Sequence, residues 1–191
     1  MANERTPILP RCWSTYILWQ YTSSGTVTGI NGRVDMNRWR GEVRAYRSPA
    51  DFPYVIRSRF NAPRNYSFAP TRKQLHEGLD FAPSVAAKAP YRVVAPADGE
   101  VVKVGYSERD YGNYLIIDHG DGERSWLAHL SAAPLVTSGR VKKGDLVGYA
   151  GSTGGTSTGL HLHWTVQRIP EGLDNYVVAD VVDPEPLLKS A

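Results

Sequence analysis

Apolar and polar residues alternate along much of the chain from about residue 56 onward, as they do in half-buried β-strands. The expected strands lie within residues 91–106, 114–122, 123–130, 142–151 and 160–167. The first of these segments is divided by an Asp98-Gly99 turn, and the second and third form a hairpin. No segment has sustained helical periodicity. The pattern therefore predicts a mainly β fold built from antiparallel strands.

The first 40 residues carry a different, aromatic-rich pattern. Trp19 begins a strand that runs into a turn at Gly25, and a second short strand, residues 34–37, follows a turn at Asn31-Gly32. Two short strands in such a segment cannot bury a core by themselves. The charged segment that follows ends in turn-forming residues and is either a linker or a covering strand. The predicted organisation is an N-terminal extension, this segment and one domain, at residues 1–40, 41–55 and 56–185.

Composition and charge exclude some classes of function. Hydrophobic residues make up 41% of the chain and charged residues 21%, as in a globular protein. The net charge of +3 suits an anionic polymer such as a bacterial wall. Without a run of lysine and arginine it is too weak to indicate nucleic acid. No apolar run approaches the ~18 residues of a membrane span. We expect a monomer with no nucleic-acid partner and no membrane span.

The single cysteine and the first residues add two exclusions. Cys12 has no second cysteine to pair with, which excludes an internal disulfide and a cysteine-based zinc site. The N-terminus lacks the charged-then-apolar pattern of a signal peptide. If the protein acts outside the cytoplasm, its export route is not visible in this pattern.

Four of the five histidines lie in three short stretches, one of which also holds an aspartate. The stretches are His76-Glu77-Gly78-Leu79-Asp80, Trp126-Leu127-Ala128-His129-Leu130 and His161-Leu162-His163-Trp164. Neutral imidazole and carboxylate groups suit Zn²⁺, and a catalytic zinc site keeps one position open for water. Taken singly, each stretch also fits ordinary surface or structural residues. Only their combination points to a zinc hydrolase.

The spacing within two of these stretches brings side chains to a common side of a strand. Alternate residues of a strand share a face, so His161 and His163 project together. His76 and Asp80, four residues apart, also share a strand face. The loop at residues 151–159 consists almost entirely of small residues, so it can pass close to a substrate backbone.

With their surroundings, the three stretches resemble the LytM/lysostaphin-type zinc endopeptidases over roughly residues 56–167. The matching contexts are His-x-Gly-Leu-Asp-Phe, Ala-Pro-Ala-Asp-Gly-Glu-Val, Tyr-Gly-Asn-Tyr-Leu-Ile-Ile-Asp-His-Gly and Gly-Leu-His-Leu-His-Trp. The resemblance implies an antiparallel β-sheet sandwich with a groove, similar to the duplicated hybrid motif. It also implies one Zn²⁺ per chain and hydrolysis of peptide bonds in the stem peptides or cross-bridges of peptidoglycan. The site of action would then be extracellular, in the cell wall or periplasmic.

The resemblance also assigns roles to individual residues. It implies that His76, Asp80 and His163 bind Zn²⁺ and that His129 and His161 form the catalytic pair. Which member of the pair takes a proton from water stays open. Five further residues are predicted to contact substrate, although they fit equally well as packing groups: Tyr111, Asn113, Tyr114, Trp126 and Thr156. The fifth histidine, His119, lies in a turn of the family pattern and is expected to be structural.

Two other functions fit parts of the pattern. A catalytically silent relative that binds the wall or activates an amidase would normally lack one of the five metal and catalytic residues, and here all five are present. A β-sandwich phosphotransfer domain would use two histidines, which leaves Asp80 and the other two without a purpose. Zinc-dependent hydrolysis accounts for all of them.

The N-terminal extension has a resemblance of its own, to the last strand and tail of family 25 glycoside hydrolases, which are lysozyme-like muramidases. It rests on Leu18 to Gly25 and on Gly29 to Asn37, and it makes Asp35 the match of an aspartate at the sugar site of that family. A glycosidase needs two positioned carboxylates, and the residues before 13 cannot supply the family's catalytic pair. The extension is therefore predicted to be a remnant of a muramidase domain. The alternative is a hairpin that pads the second domain.

Overall fold

The computed structural model describes residues 18–25, 34–39, 44–64, 74–120, 122–168 and 180–188. The chain divides into two compact units, Met1–Arg44 and Ala45–Ala191. In the first unit, strand β1 (Leu18–Gly25) pairs in antiparallel fashion with strand β2 (Val34–Trp39). Both predicted N-terminal strands are thus present as a hairpin, and the Asn31-Gly32 turn lies outside the described residues.

The second unit is built almost entirely from strands. In chain order they are β3 (Tyr54–Ser58), β4 (Pro63–Arg64), β5 (Gln74–Leu75), β6 (Leu79–Pro83), β7 (Arg92–Val94), β8 (Gly99–Ser107), β9 (Gly112–Asp118), β10 (Glu123–Leu130), β11 (Gly139–Val141), β12 (Leu146–Tyr149), β13 (Leu162–Arg168) and β14 (Asp180–Val182). A 3₁₀ turn at Glu185–Leu187 follows β14. No helix within the described ranges is long and apolar enough to cross a membrane.

One large sheet organises the described part of this unit. Its strand order is β11-β8-β9-β10-β13-β6-β3, and β14 pairs with the far end of β13. Every pairing between these strands is antiparallel, which confirms the predicted fold class. The predicted hairpin is β9–β10, with Arg124 opposite Asp118. Two smaller antiparallel pairs, β7–β12 and β4–β5, complete the described strands.

Alternation along the central strands gives the large sheet two chemically different faces. On β13, Leu162, Trp164 and Val166 are buried in the hydrophobic core, because alternate residues of a strand point the same way. The residues between them, His163 and Thr165, point to the other side. We call these the core face and the site face. The site face also carries Asp80 of β6 and Trp126 of β10, which pair across the sheet with His163 and Thr165.

The core also includes a segment that precedes the first strand of the large sheet. Tyr46 is fully buried, contacts the Trp164 ring edge-on at 5.6 Å between centroids, and donates a hydrogen bond to Glu123 at 2.9 Å. Ala50 and Phe52 are buried in the same core. The second compact unit begins at Ala45 and includes this segment, and the domain bounds expected from the sequence stay a prediction. The second part of the segment 41–55 covers the core.

Candidate active site

Three side chains from two distant stretches of the chain converge on the site face. Nε2 of His76 and Nδ1 of His163 lie 3.0 and 2.9 Å from Oδ1 of Asp80, and 3.0 Å from each other. The strand pairing explains this, because His163 and Asp80 are direct partners between β13 and β6. His76 lies just before β6. All three side chains are buried.

This cluster fits a divalent cation. Its ligand atoms all lie within 4.8 Å of one another. Nδ1 of His76 is 2.9 Å from the carbonyl oxygen of Arg59, which can only accept, so that nitrogen carries a proton and Nε2 presents its lone pair. Two imidazole lone pairs and a carboxylate oxygen then face a common point, which is where a cation would be attracted. Histidine and aspartate donors in this number match a catalytic zinc site with room for a further ligand.

Contacts outside the cluster orient the candidate ligands. Nε2 of His163 lies 2.8 Å from the hydroxyl of Thr165, to which it can donate, leaving Nδ1 for the cluster. Burial lowers the pKa of His163, which keeps this imidazole neutral, as a metal ligand must be. Arg64 donates to Oδ2 of Asp80 at 2.7 Å. Sequence reasoning did not identify Arg64 or Thr165, because neither lies in a recognisable motif.

The carboxyl of Asp80 is held as an anion. Burial alone would raise its pKa, but hydrogen bonds and charge interactions with His163 and His76, which act when these rings carry a proton toward the carboxylate, hold the pKa well below its ordinary value. An ionised carboxylate with one oxygen directed at two imidazoles is suited to bind a cation.

The second histidine pair lies beside this cluster. The rings of His129 and His161 are 4.7 Å apart between centroids, and Nε2 of His161 is 3.8 Å from Oδ1 of Asp80. Each ring donates from Nδ1 to a backbone carbonyl, that of Thr153 at 2.8 Å for His129 and that of Gly159 at 2.7 Å for His161. These bonds fix both ring orientations and leave Nε2 as the nitrogen available for chemistry.

The backbone at His129 departs from regular strand geometry. Strict alternation would place residue 129 on the same face as Leu127, in the core. Instead the β9–β10 register shifts between Leu127 and Leu130, and His129 has a φ of 59°. Bulges and left-handed residues of this kind redirect side chains and cluster at functional sites. Here the irregularity brings His129 to the site face, next to His163 at 5.9 Å between centroids.

His129 is neutral over a wide pH range. Burial is the largest cause, and repulsion from His163 adds to it, so that the pKa of His129 is lowered to about 4. A neutral imidazole with one nitrogen available can accept a hydrogen bond from water near neutral pH, and a pKa of about 4 makes it a weak base there.

An aromatic cluster stands beside the histidines. The rings of Tyr114 and Trp126 stack at 5.5 Å between centroids, and Tyr111 contacts Trp126 at 5.4 Å and His163 at 6.1 Å. The indole nitrogen of Trp126 donates to Gln167 at 2.7 Å. These three of the five residues predicted to contact substrate therefore form one wall beside the candidate metal ligands, which we call the aromatic wall.

The other two predicted contact residues form hydrogen bonds to neighbouring segments of the chain. The side-chain amide of Asn113 donates to the carbonyl of Leu130 at 3.3 Å, and Thr156 donates to the carbonyl of Asp110 at 2.9 Å. The loop at residues 151–159 packs tightly here, because a Cβ on Gly154 would lie 2.2 Å from the same Asp110 oxygen. Packing thus requires glycine at position 154, and the approach of this loop to a substrate stays a prediction.

His119 lies apart from the site and is bonded within the core. Its Nδ1 donates to the carbonyl of Asp98 at 2.8 Å, and its Nε2 lies 2.8 Å from the hydroxyl of Ser125. That hydroxyl in turn accepts from the indole of Trp164 at 3.0 Å. Both ring nitrogens are thus engaged in contacts that hold the core together.

Comparison with known sequences identifies the family. The profile of Peptidase family M23 matches residues 74–178, which is more than half of the chain and includes all five predicted metal and catalytic residues. The chain belongs to peptidase family M23. The resemblance to lysostaphin-type peptidases is therefore confirmed. The match does not include the first unit, where Asp35 lies on β2, so the muramidase resemblance stays a prediction.

Individual relatives support the same assignment. The glycyl-glycine endopeptidase ALE-1 of Staphylococcus capitis is 38% identical over 117 residues, which cover 61% of this chain and 30% of that protein. The DD-carboxypeptidase/endopeptidase Mpg of Neisseria meningitidis serogroup B is 34% identical over 126 residues, covering 65% and 28%. This chain thus spans less than a third of either relative. The catalytic domain of lysostaphin from Staphylococcus simulans superposes with a TM-score of 0.55 at 30% identity, covering 72% of this chain and 93% of that domain.

Proposed function

We propose that this protein is a zinc-dependent endopeptidase that hydrolyses peptide bonds of peptidoglycan, in its stem peptides or cross-bridges. The observation that carries the proposal is the convergence of three buried metal-binding side chains with two further oriented histidines. The similarity to ALE-1, named a glycyl-glycine endopeptidase, and to Mpg, named a DD-carboxypeptidase/endopeptidase, supports this substrate class.

In this proposal His76, Asp80 and His163 hold one Zn²⁺ per chain. A zinc ion bound there would polarise a scissile carbonyl and make a water molecule more acidic. The residues favour this occupant because they offer neutral nitrogen and ionised oxygen donors without a thiolate. The hydrogen bonds from His76 to Arg59 and from His163 to Thr165 hold the rings in position before a metal arrives.

His129 and His161 act as the general acid and base. With a pKa of about 4, His129 is neutral at pH 7 and can accept a proton from water as a weak base, whose protonated form the nearby Asp80 carboxylate favours. Nε2 of His161 lies 3.8 Å from Oδ1 of Asp80, where it is placed to hydrogen-bond the oxygen that gains charge as the carbonyl is attacked. A proton taken up by the pair can then be passed to the leaving amine.

The aromatic wall supplies one side of the substrate groove. Tyr111 contacts both His163 and Trp126, and the two aromatic rings present flat apolar surface against which a peptide backbone can pack. Asn113 lies on β9 beside Tyr114, and Thr156 lies in the loop at residues 151–159. We assign both residues substrate contacts through atoms that their hydrogen bonds to Leu130 and Asp110 leave available. The protein acts as a monomer on wall peptides outside the cytoplasm, in the wall or the periplasm.

Purified peptidoglycan tests the proposal directly. Sacculi are incubated with the protein alone, with a chelator, and with Zn²⁺ restored after chelation, and released fragments are analysed by mass spectrometry. We expect new peptide amino termini that disappear on chelation, return with Zn²⁺ and are absent with His161→Ala. Intact sacculi of several cross-link types, despite stoichiometric bound zinc, would instead favour the silent wall-binding or amidase-activating alternative.

A further inference from the structure

Arg64 contacts a candidate metal ligand from outside the cluster. Its Nη2 donates to Oδ2 of Asp80 at 2.7 Å, while Oδ1 of the same carboxylate faces His76 and His163. We propose that Arg64 is a positioning residue that restricts Asp80 to one-oxygen metal binding. This inference rests on the proposed function, because it assumes that Asp80 is a ligand.

The two oxygens of Asp80 have separate partners. Oδ1 lies 3.0 Å from His76, 2.9 Å from His163 and 3.8 Å from His161, so it is the oxygen directed at the cluster. Oδ2 is occupied by a charge-assisted hydrogen bond, which is stronger and more directional than a neutral one. A carboxylate released from this bond could rotate and offer both oxygens to a cation. The second oxygen would then take the position that water or a substrate carbonyl needs.

Burial separates this ion pair from the surface pairs of the molecule. The side chains of Arg64 and Asp80 are 25% and 9% exposed, whereas those of Arg59 and Glu185, which also form a pair, are 61% and 37% exposed. Exposed pairs contribute little because water screens them. Removing one partner of a buried pair leaves an uncompensated charge, which is strongly unfavourable. The Arg64–Asp80 contact therefore constrains Asp80 in a way that surface pairs cannot constrain their partners.

The backbone fixes Arg64 relative to the ligands. The amide of Asn61 donates to the carbonyl of His76 at 2.8 Å, and the amide of His76 donates to the carbonyl of Ala62 at 2.9 Å. Arg64 follows on β4, opposite Gln74 of β5. Backbone hydrogen bonds thus join the segment that carries Arg64 directly to the segment that carries His76. Both residues that contact Asp80 from this side belong to one hydrogen-bonded unit.

Contacts of the Arg64 guanidinium other than the bond to Asp80 do not explain why the side chain lies beside the cluster. Its Nε is buried and has no hydrogen-bond partner among the described residues. Burying a donor without a partner is unfavourable, so packing alone would not hold the side chain there. The bond to Asp80 is the polar contact that keeps the guanidinium beside the candidate metal site.

Zinc affinity and ligand geometry test the inference separately from catalysis. The full chain is compared with Arg64→Met, Arg64→Lys and the matched control Arg140→Met. The control alters an exposed arginine on β11, an edge strand that four strands separate from β6 in the large sheet. Dissociation constants for Zn²⁺ are measured by competition with a chromophoric chelator. We expect Arg64→Met to bind Zn²⁺ roughly 10–100-fold more weakly, Arg64→Lys to be intermediate and Arg140→Met to be unchanged.

Cobalt substitution reports on the number of oxygens bound. Co²⁺ in a four-coordinate site absorbs visible light more strongly than Co²⁺ with additional ligands, so two-oxygen binding by Asp80 should weaken the bands of Arg64→Met. An unchanged cobalt spectrum in Arg64→Met would overturn the restriction to one-oxygen binding whatever the zinc affinity of that variant, and unchanged zinc affinity in both Arg64 variants would overturn the positioning role of Arg64. A wild-type chain that binds no zinc would overturn the metal site as well. If Arg64→Met does not fold, Arg64→Lys decides, and wild-type affinity in that variant contradicts the inference.

Discussion

The two faces of the large sheet bury side chains to a similar degree but by different physical means. On the core face, Leu127, Leu162 and Trp164 are fully buried and are held mainly by non-directional apolar contact. On the site face, Asp80 and His163 are also buried, but their polar atoms meet partners at defined distances. Burial on the core face therefore sets stability. Burial on the site face sets orientation and charge, which are the properties that catalysis needs.

The largest expected effect on activity comes from removing a ligand on the site face. His163→Ala should abolish stoichiometric zinc binding and lower peptide release by far more than the roughly 10–100-fold typical of losing an outer contact. The free energy of unfolding of the metal-free protein should change by only about 1–2 kcal/mol, because the core face is untouched. Zinc content, released peptides and urea denaturation check the three quantities. An unfolded variant would contradict the prediction that side chains on the site face contribute little to stability.

The complementary change is made on the core face. Trp164→Ala should cost about 3–5 kcal/mol of unfolding free energy, because it leaves a large cavity and removes the donor to Ser125. The matched variant Trp126→Ala removes a tryptophan side chain that is only partly buried, in the aromatic wall. It should lower the free energy of unfolding by less than half as much as Trp164→Ala, and it should raise KM. Urea denaturation and peptide-hydrolysis kinetics measure both. Equal losses of stability would contradict the division between the faces.

The pH dependence of activity sharpens the same comparison, because burial on the site face changes charge. A base must be neutral to accept a proton, and lowering the pKa of His129 to about 4 extends its neutral range downward from the ordinary value. At pH 5 the neutral fraction of His129 is about 30 times that of a histidine with a pKa of 6.5. We expect the midpoint of the acid limb of the kcat/KM profile to lie well below pH 6.5. Zinc content is followed at each pH, and a midpoint at or above 6.5 would contradict the assignment.

The smallest of these effects concerns one outer hydrogen bond. Thr165→Val keeps the shape of the side chain but removes the hydroxyl 2.8 Å from Nε2 of His163. We expect zinc affinity to fall about 10-fold, with little loss of stability, because His163 loses the contact that orients its ring. Thr165→Ser, which keeps the hydroxyl, should bind zinc as the wild type does. Equal affinities for the valine and serine variants would show that packing alone orients His163.

Much of the fold and the position of the site could be predicted from local patterns. Alternation along residues 114–130 and 160–167 predicted the β9–β10 hairpin and strand β13, because burial on one face has a period of two residues. The same period placed His161 and His163 on one side, and the structure brings both to the cluster with His76 and Asp80.

Contacts between distant segments could not be predicted in this way. Arg64 meets Asp80 across 16 residues of sequence, and Tyr46 meets Glu123 across 77. His129 reaches the site face only because a bulge and a left-handed backbone interrupt the alternation that would send it to the core. Strand pairing and register decide such contacts, and a local pattern does not contain them.

By itself, then, the sequence determined that the chain forms antiparallel strands and that histidines and an aspartate recur at the spacing of a metal site, since both depend on residue type and short-range periodicity. Only the tertiary structure decided which atoms face one another. It placed Oδ1 of Asp80 toward the imidazoles and Oδ2 toward Arg64, and it set the pKa of His129 by burial. The physical reason is that direction and dielectric environment arise when separate strands pack, whereas the strand pattern is present in each segment alone.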